Sequence, residues 1–303
     1  MARTTRRNFL LATAAGLTGL SPMKKSKKPS NGSSVGTEDE QLMDKVLATV
    51  PNHLQTFLAD PARLMGPRMN PDPWQADLLR SRSDRIMLNI TRQGGKSQTA
   101  SALAIKEALF HPLVYGRPAL ILMVSPTLRQ SGELFREKFK ILYKDLGCPV
   151  PIKAESALTM ELVNGSRIVS LPGEAGNILG YSAVTLLVID EAGMVPDPLY
   201  FSVRPMIAVS KGSIIALSTP WGKRGWFYDE FTGPRRWDRY EVPASECPRI
   251  SPDFLAEERD ALGDRWFRQS YECKFEDMMD AVISSEDVAD AMKNNVKPLW
   301  WGT

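Results

Sequence analysis

Arg85-Ile86-Met87-Leu88-Asn89-Ile90-Thr91-Arg92-Gln93-Gly94-Gly95-Lys96-Ser97 is the stretch whose reading decides how this chain folds. Arg85 to Ile90 reads as a short buried strand, Gly94-Gly95 as the turn after it, and Ser97 to Phe110 as a helix. Two glycines let backbone N–H groups come close to an anion at a helix N-terminus, whose partial positive charge favours it. In such a phosphate cradle Lys96 reaches the β- and γ-phosphates and the Ser97 hydroxyl holds Mg²⁺. The G-x-x-x-x-G-K-[ST] pattern asks for a glycine where this chain has Ile90. Taken alone, the stretch therefore fits a plain strand-to-helix turn better than a nucleotide site.

Two later strings decide between these readings. Leu186-Leu187-Val188-Ile189 is a wholly aliphatic run, as expected of a central parallel strand covered on both faces, and it ends in Asp190-Glu191. Open α/β sheets bind ligands at the C-terminal ends of their strands, which puts this carboxylate pair beside the cradle. Successive strand residues point in different directions. Asp190 is accordingly assigned to the Mg²⁺ shell and Glu191 to polarising an attacking water. Ser213 to Leu217 is a further aliphatic strand, and Ser218-Thr219-Pro220 follows it. Hydroxyls at that place can sense a γ-phosphate and pass its loss onward, which makes these three residues a candidate coupling element. Ala119 to Val124 reads as another buried strand and Gln130 to Leu146 as an amphipathic helix. Thr159 to Val163 and Ser166 to Leu171 flank Asn164-Gly165, a two-residue hairpin signal. The expected fold is α/β, with a mainly parallel sheet flanked by helices and room for an extra strand between the two nucleotide-binding strands.

In this combination the sequence resembles the large terminase subunit of tailed bacteriophages, specifically its N-terminal packaging ATPase. The resemblance is carried by Thr91-Arg92-Gln93-Gly94-Gly95-Lys96-Ser97, by Val124-Ser125-Pro126-Thr127-Leu128-Arg129-Gln130-Ser131-Gly132-Glu133-Leu134-Phe135, by Ile189-Asp190-Glu191-Ala192 and by Leu217-Ser218-Thr219-Pro220-Trp221-Gly222. It covers roughly residues 70 to 290. It implies a P-loop NTPase of the RecA-like, additional-strand branch that uses ATP and Mg²⁺. It also implies double-stranded DNA, a portal protein and a small terminase subunit as partners, and a homo-oligomeric ring on the portal. Residue by residue, it implies that Thr91, Gln93, Gly94, Gly95, Lys96, Ser97 and Gln98 hold the nucleotide. Trp74-Gln75 is similar to the family's adenine-recognising segment, and Arg92 to the loop arginine that stabilises the γ-phosphate. The chain departs from the family at Asn177-Ile178-Leu179-Gly180, where Leu179 replaces a customary arginine and supplies no charge.

At 303 residues and 43% hydrophobic, the chain is long enough for one substantial α/β domain. A net charge of +3 gives no global basic field of the kind that marks a nucleic-acid binder. Lys223-Arg224 and Arg235-Arg236 lie among Trp221, Trp226, Phe227, Tyr228 and Trp237, a mixture that suits either phosphate contacts or packing. Cys148, Cys247 and Cys273 have no metal-ligand spacing and fit a reduced compartment, and His53 and His111 are isolated. Thr5-Arg6-Arg7-Asn8-Phe9-Leu10 resembles a twin-arginine export signal, but Lys24-Lys25-Ser26-Lys27-Lys28 follows closely. The preferred reading is a misassigned start, with Met23 as the true one, or a disordered tail, and a protein of the host cytoplasm without a membrane span.

The domain organisation expected is a disordered or signal-like segment over 1–37, the ATPase over 38–292 and a tail or truncated linker over 293–303. The nuclease that completes the family's full-length members is expected to be missing from this polypeptide. Three functions remain open on the sequence. They are a DNA-packaging motor, a catalytically idle prophage remnant that binds nucleotide or partners, and a helicase-like ATPase, which would need a second lobe.

Overall fold

The structure, a computed structural model, describes residues 50–67, 69–173, 180–277 and 285–292. Its centre is an eight-stranded sheet. The helix α1 (Asn52–Ala59) leads to α2 (Pro73–Arg80), β1 (Arg85–Ile90) and the long α3 (Lys96–Tyr115). Next come β2 (Leu120–Ser125), α4 (Leu128–Glu133), a π-helical stretch (Leu134–Phe139) and α5 (Lys140–Asp145). The strands β3 (Ile152–Glu155), β4 (Thr159–Leu162), β5 (Arg167–Pro172) and β6 (Leu186–Asp190) precede α6 (Asp197–Val203) and β7 (Ser213–Ser218). The helix α7 (Gly225–Thr232), β8 (Asp238–Val242), α8 (Pro252–Tyr271) and α9 (Ser285–Ala291) complete the order.

The spatial order is β3-β4-β5-β2-β6-β7-β1-β8, in which only the β3–β4 and β4–β5 pairs are antiparallel. The strand β7 thus lies between β6 and β1, the two expected to carry nucleotide-binding residues, as an additional-strand NTPase requires.

Strand alternation builds two separate cores from one sheet. Ile86, Leu88, Ile121, Met123, Val188, Ile215 and Leu217 pack on one face with α2 and α3. Met87, Leu122, Val124, Leu187, Ile189, Ile214 and Ala216 pack on the other with Leu199, Tyr200 and Trp226. Because both faces are covered, the central strands β2 and β6 read as nearly continuous apolar runs.

Three local outcomes differ from the sequence expectation. The first is that α3 runs through Pro112 to Tyr115 instead of ending near Phe110. Proline removes the N–H that would bond the Ala108 carbonyl. That carbonyl instead accepts from Asn164 Nδ2 at 3.1 Å and Ser166 Oγ at 3.0 Å, so the helix continues.

The second is that the 164–165 connection is not a two-residue turn. Of Asn164 and Gly165 only Gly165 has positive φ, +81°, whereas a type I′ turn needs positive φ at both central residues. Gly165 N donates to Leu162 O and Leu162 N to Ser166 O, closing a longer loop with a left-handed glycine.

The third is that the helix expected over Gln130 to Leu146 carries a π turn. The stacked rings of Phe135, Phe139 and Tyr143 are buried along it.

Candidate active site

The parallel register aligns three strand ends. Asn89 lies opposite Ser218 and Leu217 opposite Asp190, so the loops leaving β1, β7 and β6 open on one edge of the sheet. Together they line a cavity of about 290 Å³ whose walls include Arg92, Lys96, Glu191, Thr219 and Trp221.

Lys96 opens α3 and is 8% exposed. Its Nζ donates to Thr219 Oγ1 at 2.8 Å and stands 3.6 Å from Glu191 Oε1. The residue before it, Gly95, has φ +95°. A Cβ on Gly95 would fall 2.7 Å from Gln75 Nε2, and one on Gly94 would fall 2.6 Å from Ile90 Cγ2. The backbone of the cradle is therefore closely walled on both sides of the turn, and only glycine fits.

Asp190 ends β6 and is buried, with Oδ1 lacking any hydrogen-bond partner. Burial, and then the adjacent Glu191 charge, push its pKa up to about 7, while Lys96 and a hydrogen bond from the Ser97 side chain pull the other way. A buried carboxylate with an orphaned oxygen beside a hydroxyl is a hard-oxygen donor set that fits a divalent cation such as Mg²⁺. Glu191 adopts the left-handed conformation at φ 48°, ψ 44°, which is costly for a non-glycine residue.

Ser218 joins the second and third loops. Its Oγ accepts from Gly193 N at 3.0 Å and donates to Thr219 O at 2.7 Å. Pro220 follows and lines the same cavity.

Contacts distant in sequence hold the cradle from behind. Thr91 N donates to Val242 O, and both Arg92 N and Thr91 Oγ1 donate to Ser270 O. The buried Asn89 side chain donates to Cys273 O at 2.7 Å. Sequence reading missed Ser270, Cys273 and Asn89, since carbonyl acceptors carry no side-chain signature. Asn89, a polar residue inside an aliphatic strand, was the one available signal.

The remaining expected residues are distributed unevenly. The side chains of Arg92 and Gln93 are exposed at the cavity, and Gln93 has φ 59°. Ser97 and Gln98 are half-buried on the first turn of α3. Trp74 and Gln75 are buried on α2. Gln75 Oε1 accepts from Asp72 N at 2.9 Å and Nε2 donates to Thr99 Oγ1 at 3.0 Å. These contacts pin α2 to α3, and each end of the amide keeps one further hydrogen-bonding position. Leu179 lies outside the described residues.

The basic and aromatic cluster resolves mainly into packing. Trp226 stacks on Tyr200 with ring centroids 3.8 Å apart. The buried Glu230 accepts from Tyr200 OH, Trp237 Nε1 and Arg235. Lys223 pairs with Asp277 at 3.3 Å. Among the described residues no helix is long and apolar enough to cross a membrane, and no group of three or more His, Cys, Asp or Glu residues is placed to hold a metal.

No family model matches the sequence. The chain is 26% identical over 250 residues to the terminase large subunit of Thermus virus P23-45, a match covering 71% of this chain and 50% of the relative. It thus spans about half the length of the curated relatives it matches. The solved ATPase domain of the Thermus phage P74-26 large terminase superposes with TM-score 0.56 at 22% identity, covering 68% of this chain and 94% of that one. The large terminase of a thermophilic bacteriophage, solved in complex with ATP-γ-S, gives TM-score 0.51 at 12% identity over 71% of this chain and 52% of that one. In sequence the chain is related to phage terminase large subunits, and in fold it matches their ATPase domain.

Proposed function

We propose that this chain is the ATP-hydrolysing part of a motor that moves double-stranded DNA into a viral procapsid. The observation that carries this reading is the convergence of Lys96, Thr219 and Glu191, contributed by three separate strand ends, within 3.6 Å of the Lys96 ammonium. The DNA substrate follows from the resemblance to terminase large subunits, and the thermophilic phage terminase solved with ATP-γ-S supports a nucleotide in the cradle.

Backbone N–H groups of residues 95 to 97 and the Lys96 ammonium bind the phosphates, the Gly94 N–H being held by the Thr91 carbonyl. Ser97 and Asp190 would hold Mg²⁺, whose charge offsets that of the phosphate oxygens. Glu191 orients a water toward the γ-phosphorus and accepts its proton as the new P–O bond forms and the bond to the β-phosphate oxygen breaks. Arg92 reaches from the loop toward the charge that develops on the transferred group. Loss of that group alters what Lys96 and Thr219 can bond. Ser218 ties this change to the Gly193 backbone, which makes 218 to 220 the coupling element. Portal protein, a small terminase subunit and further copies in a ring complete the assembly in this reading, which places it in the host cytoplasm. Residues 38–292 form the ATPase unit.

Steady-state hydrolysis of ATP by the full chain, with and without linear double-stranded DNA, tests the reading. Magnesium-dependent turnover that DNA stimulates is expected. A folded chain that binds ATP and shows no turnover, with or without DNA, would point instead to an idle remnant.

A further inference from the structure

The cradle has a second flank, away from the cavity that holds Lys96, Glu191 and Thr219. Parallel pairing of Ile90 with Val242 brings the chain leaving β8 beside the loop leaving β1. A short helical turn over Ala244–Glu246 and a further turn closed by Ile250 N on Cys247 O carry Arg249 back over that loop.

There the Arg249 guanidinium makes two directed contacts. NH1 donates to Asp72 Oδ1 at 2.6 Å and NH2 donates to the Gly94 carbonyl at 3.3 Å. A Cβ built on Gly95 would lie 3.5 Å from the same NH2 and 2.7 Å from Gln75 Nε2. The Gly94–Gly95 peptide is therefore flanked by Gln75 and Arg249. Asp72 is only 6% exposed, and Arg249 is its ion-pair partner.

A peptide group presents either its N–H edge or its carbonyl toward an anion in the turn. The carbonyl is the wrong pole for a phosphate. Held by the guanidinium, the Gly94 oxygen is directed at Arg249, and the Gly95 N–H on the opposite edge of the same trans peptide points away from it. A flexible glycine pair cannot supply that direction itself.

We propose that Arg249 is a positioning residue for the nucleotide, a latch that fixes the Gly94–Gly95 peptide in its anion-binding orientation and joins the phosphate loop to the N-terminus of α2. This rests on the nucleotide reading of the cradle. It assigns a role to a residue 155 positions away from the loop it holds. Lysine is a poor substitute, because one ammonium cannot reproduce the planar fork that serves Asp72 and Gly94 together.

Equilibrium binding of ATP, ADP and inorganic pyrophosphate to the full chain tests this, in wild type, Arg249→Gln and Arg249→Lys, with melting curves for each. Arg249→Gln is expected to weaken all three ligands at least about tenfold, with kcat at saturating ATP within about threefold, the pattern of lost binding rather than lost chemistry. Arg249→Lys keeps a cation beside the buried Asp72 and so should stay folded, and a loss of about threefold to tenfold is expected for it. Wild-type affinity in a folded Gln or Lys variant would overturn the proposal. A wild-type chain that binds ATP without hydrolysing it contradicts the motor reading and still lets the Arg249 affinities be read. A wild-type chain that binds none of the three ligands contradicts both.

Discussion

The Lys96 ammonium and the Thr219 hydroxyl are 123 positions apart in the chain and 2.8 Å apart in space. An ammonium has three donors, and one of them is committed to the loop after β7 before any phosphate arrives. A phosphate entering the cradle competes for it, so occupancy of the site is felt at Thr219 directly.

Thr219→Val removes the hydroxyl at nearly constant volume. ATP affinity is expected to stay within about threefold of wild type, while the stimulation of turnover by linear double-stranded DNA is lost. Steady-state hydrolysis with and without DNA reads both, and stimulation retained in full would remove Thr219 from the coupling path.

Gly95→Ala places a methyl group 2.7 Å from Gln75 Nε2 on a residue with φ +95°. A destabilisation of about 1–3 kcal/mol is expected from the clash and the left-handed backbone together. Only the clash depends on Gln75. In a urea double-mutant cycle Gln75→Ala should therefore recover part of the loss, with a coupling above about 0.5 kcal/mol. Strict additivity of the two substitutions would show that Gln75 does not wall the loop.

Much of this site could be read in the sequence because each of its three motifs is contiguous with the strand that presents it. Ile90, Ile189 and Leu217 end aliphatic runs, and the polar residues just after them must emerge on one edge of a parallel sheet. What holds the loops is less visible, because its partners are main-chain atoms or distant side chains. The Ser270 carbonyl that anchors Thr91 is 179 positions away. The helix expected to end at Phe110 runs on through Pro112, because Asn164 and Ser166, more than 50 positions downstream, satisfy the Ala108 carbonyl. Gln75 illustrates the same limit, since its spacing gives no hint that Asp72 and Thr99 occupy its amide. The tryptophans at 226 and 237 read more readily as packing than as phosphate contacts, and burial against Tyr200 and Glu230 supports the packing.

Glu191 holds a left-handed backbone, φ 48°, at the position assigned to water activation. Glu191→Gly relieves that conformation and removes one charge beside Asp190. The variant is expected to gain about 1 kcal/mol of stability. Its turnover should fall on the order of 10²–10⁴-fold. Melting temperature and hydrolysis measured on the same preparation check the opposed signs, and a less stable glycine variant would contradict the strain.

Lys106 gives a dependence on pH away from the site. Its ammonium donates to the Leu79 and Ser81 carbonyls, yet burial pulls its pKa down from 10.5 to about 8. Between those values the unfolded chain carries the proton and the folded chain does not. Stability therefore rises with pH across that window, and the cost of burying the charge is fully present below it. Relative to Lys106→Met, wild type should gain on the order of 1–3 kcal/mol between pH 8 and pH 10.5. Urea midpoints of the two proteins at both pH values supply the comparison, and parallel pH profiles would show that Lys106 titrates normally.

The convergence of Lys96, Asp190, Glu191 and Thr219 into one hydrolytic site is tested most directly by single-turnover hydrolysis of ATP in the presence of Mg²⁺, with binding measured separately, in wild type and Glu191→Gln. The glutamine keeps the size and the left-handed backbone of Glu191 but cannot take a proton. Affinity within about threefold of wild type and hydrolysis slowed at least about 100-fold are expected. Hydrolysis at the wild-type rate in Glu191→Gln would contradict the assignment of this carboxylate, and with it the site as described.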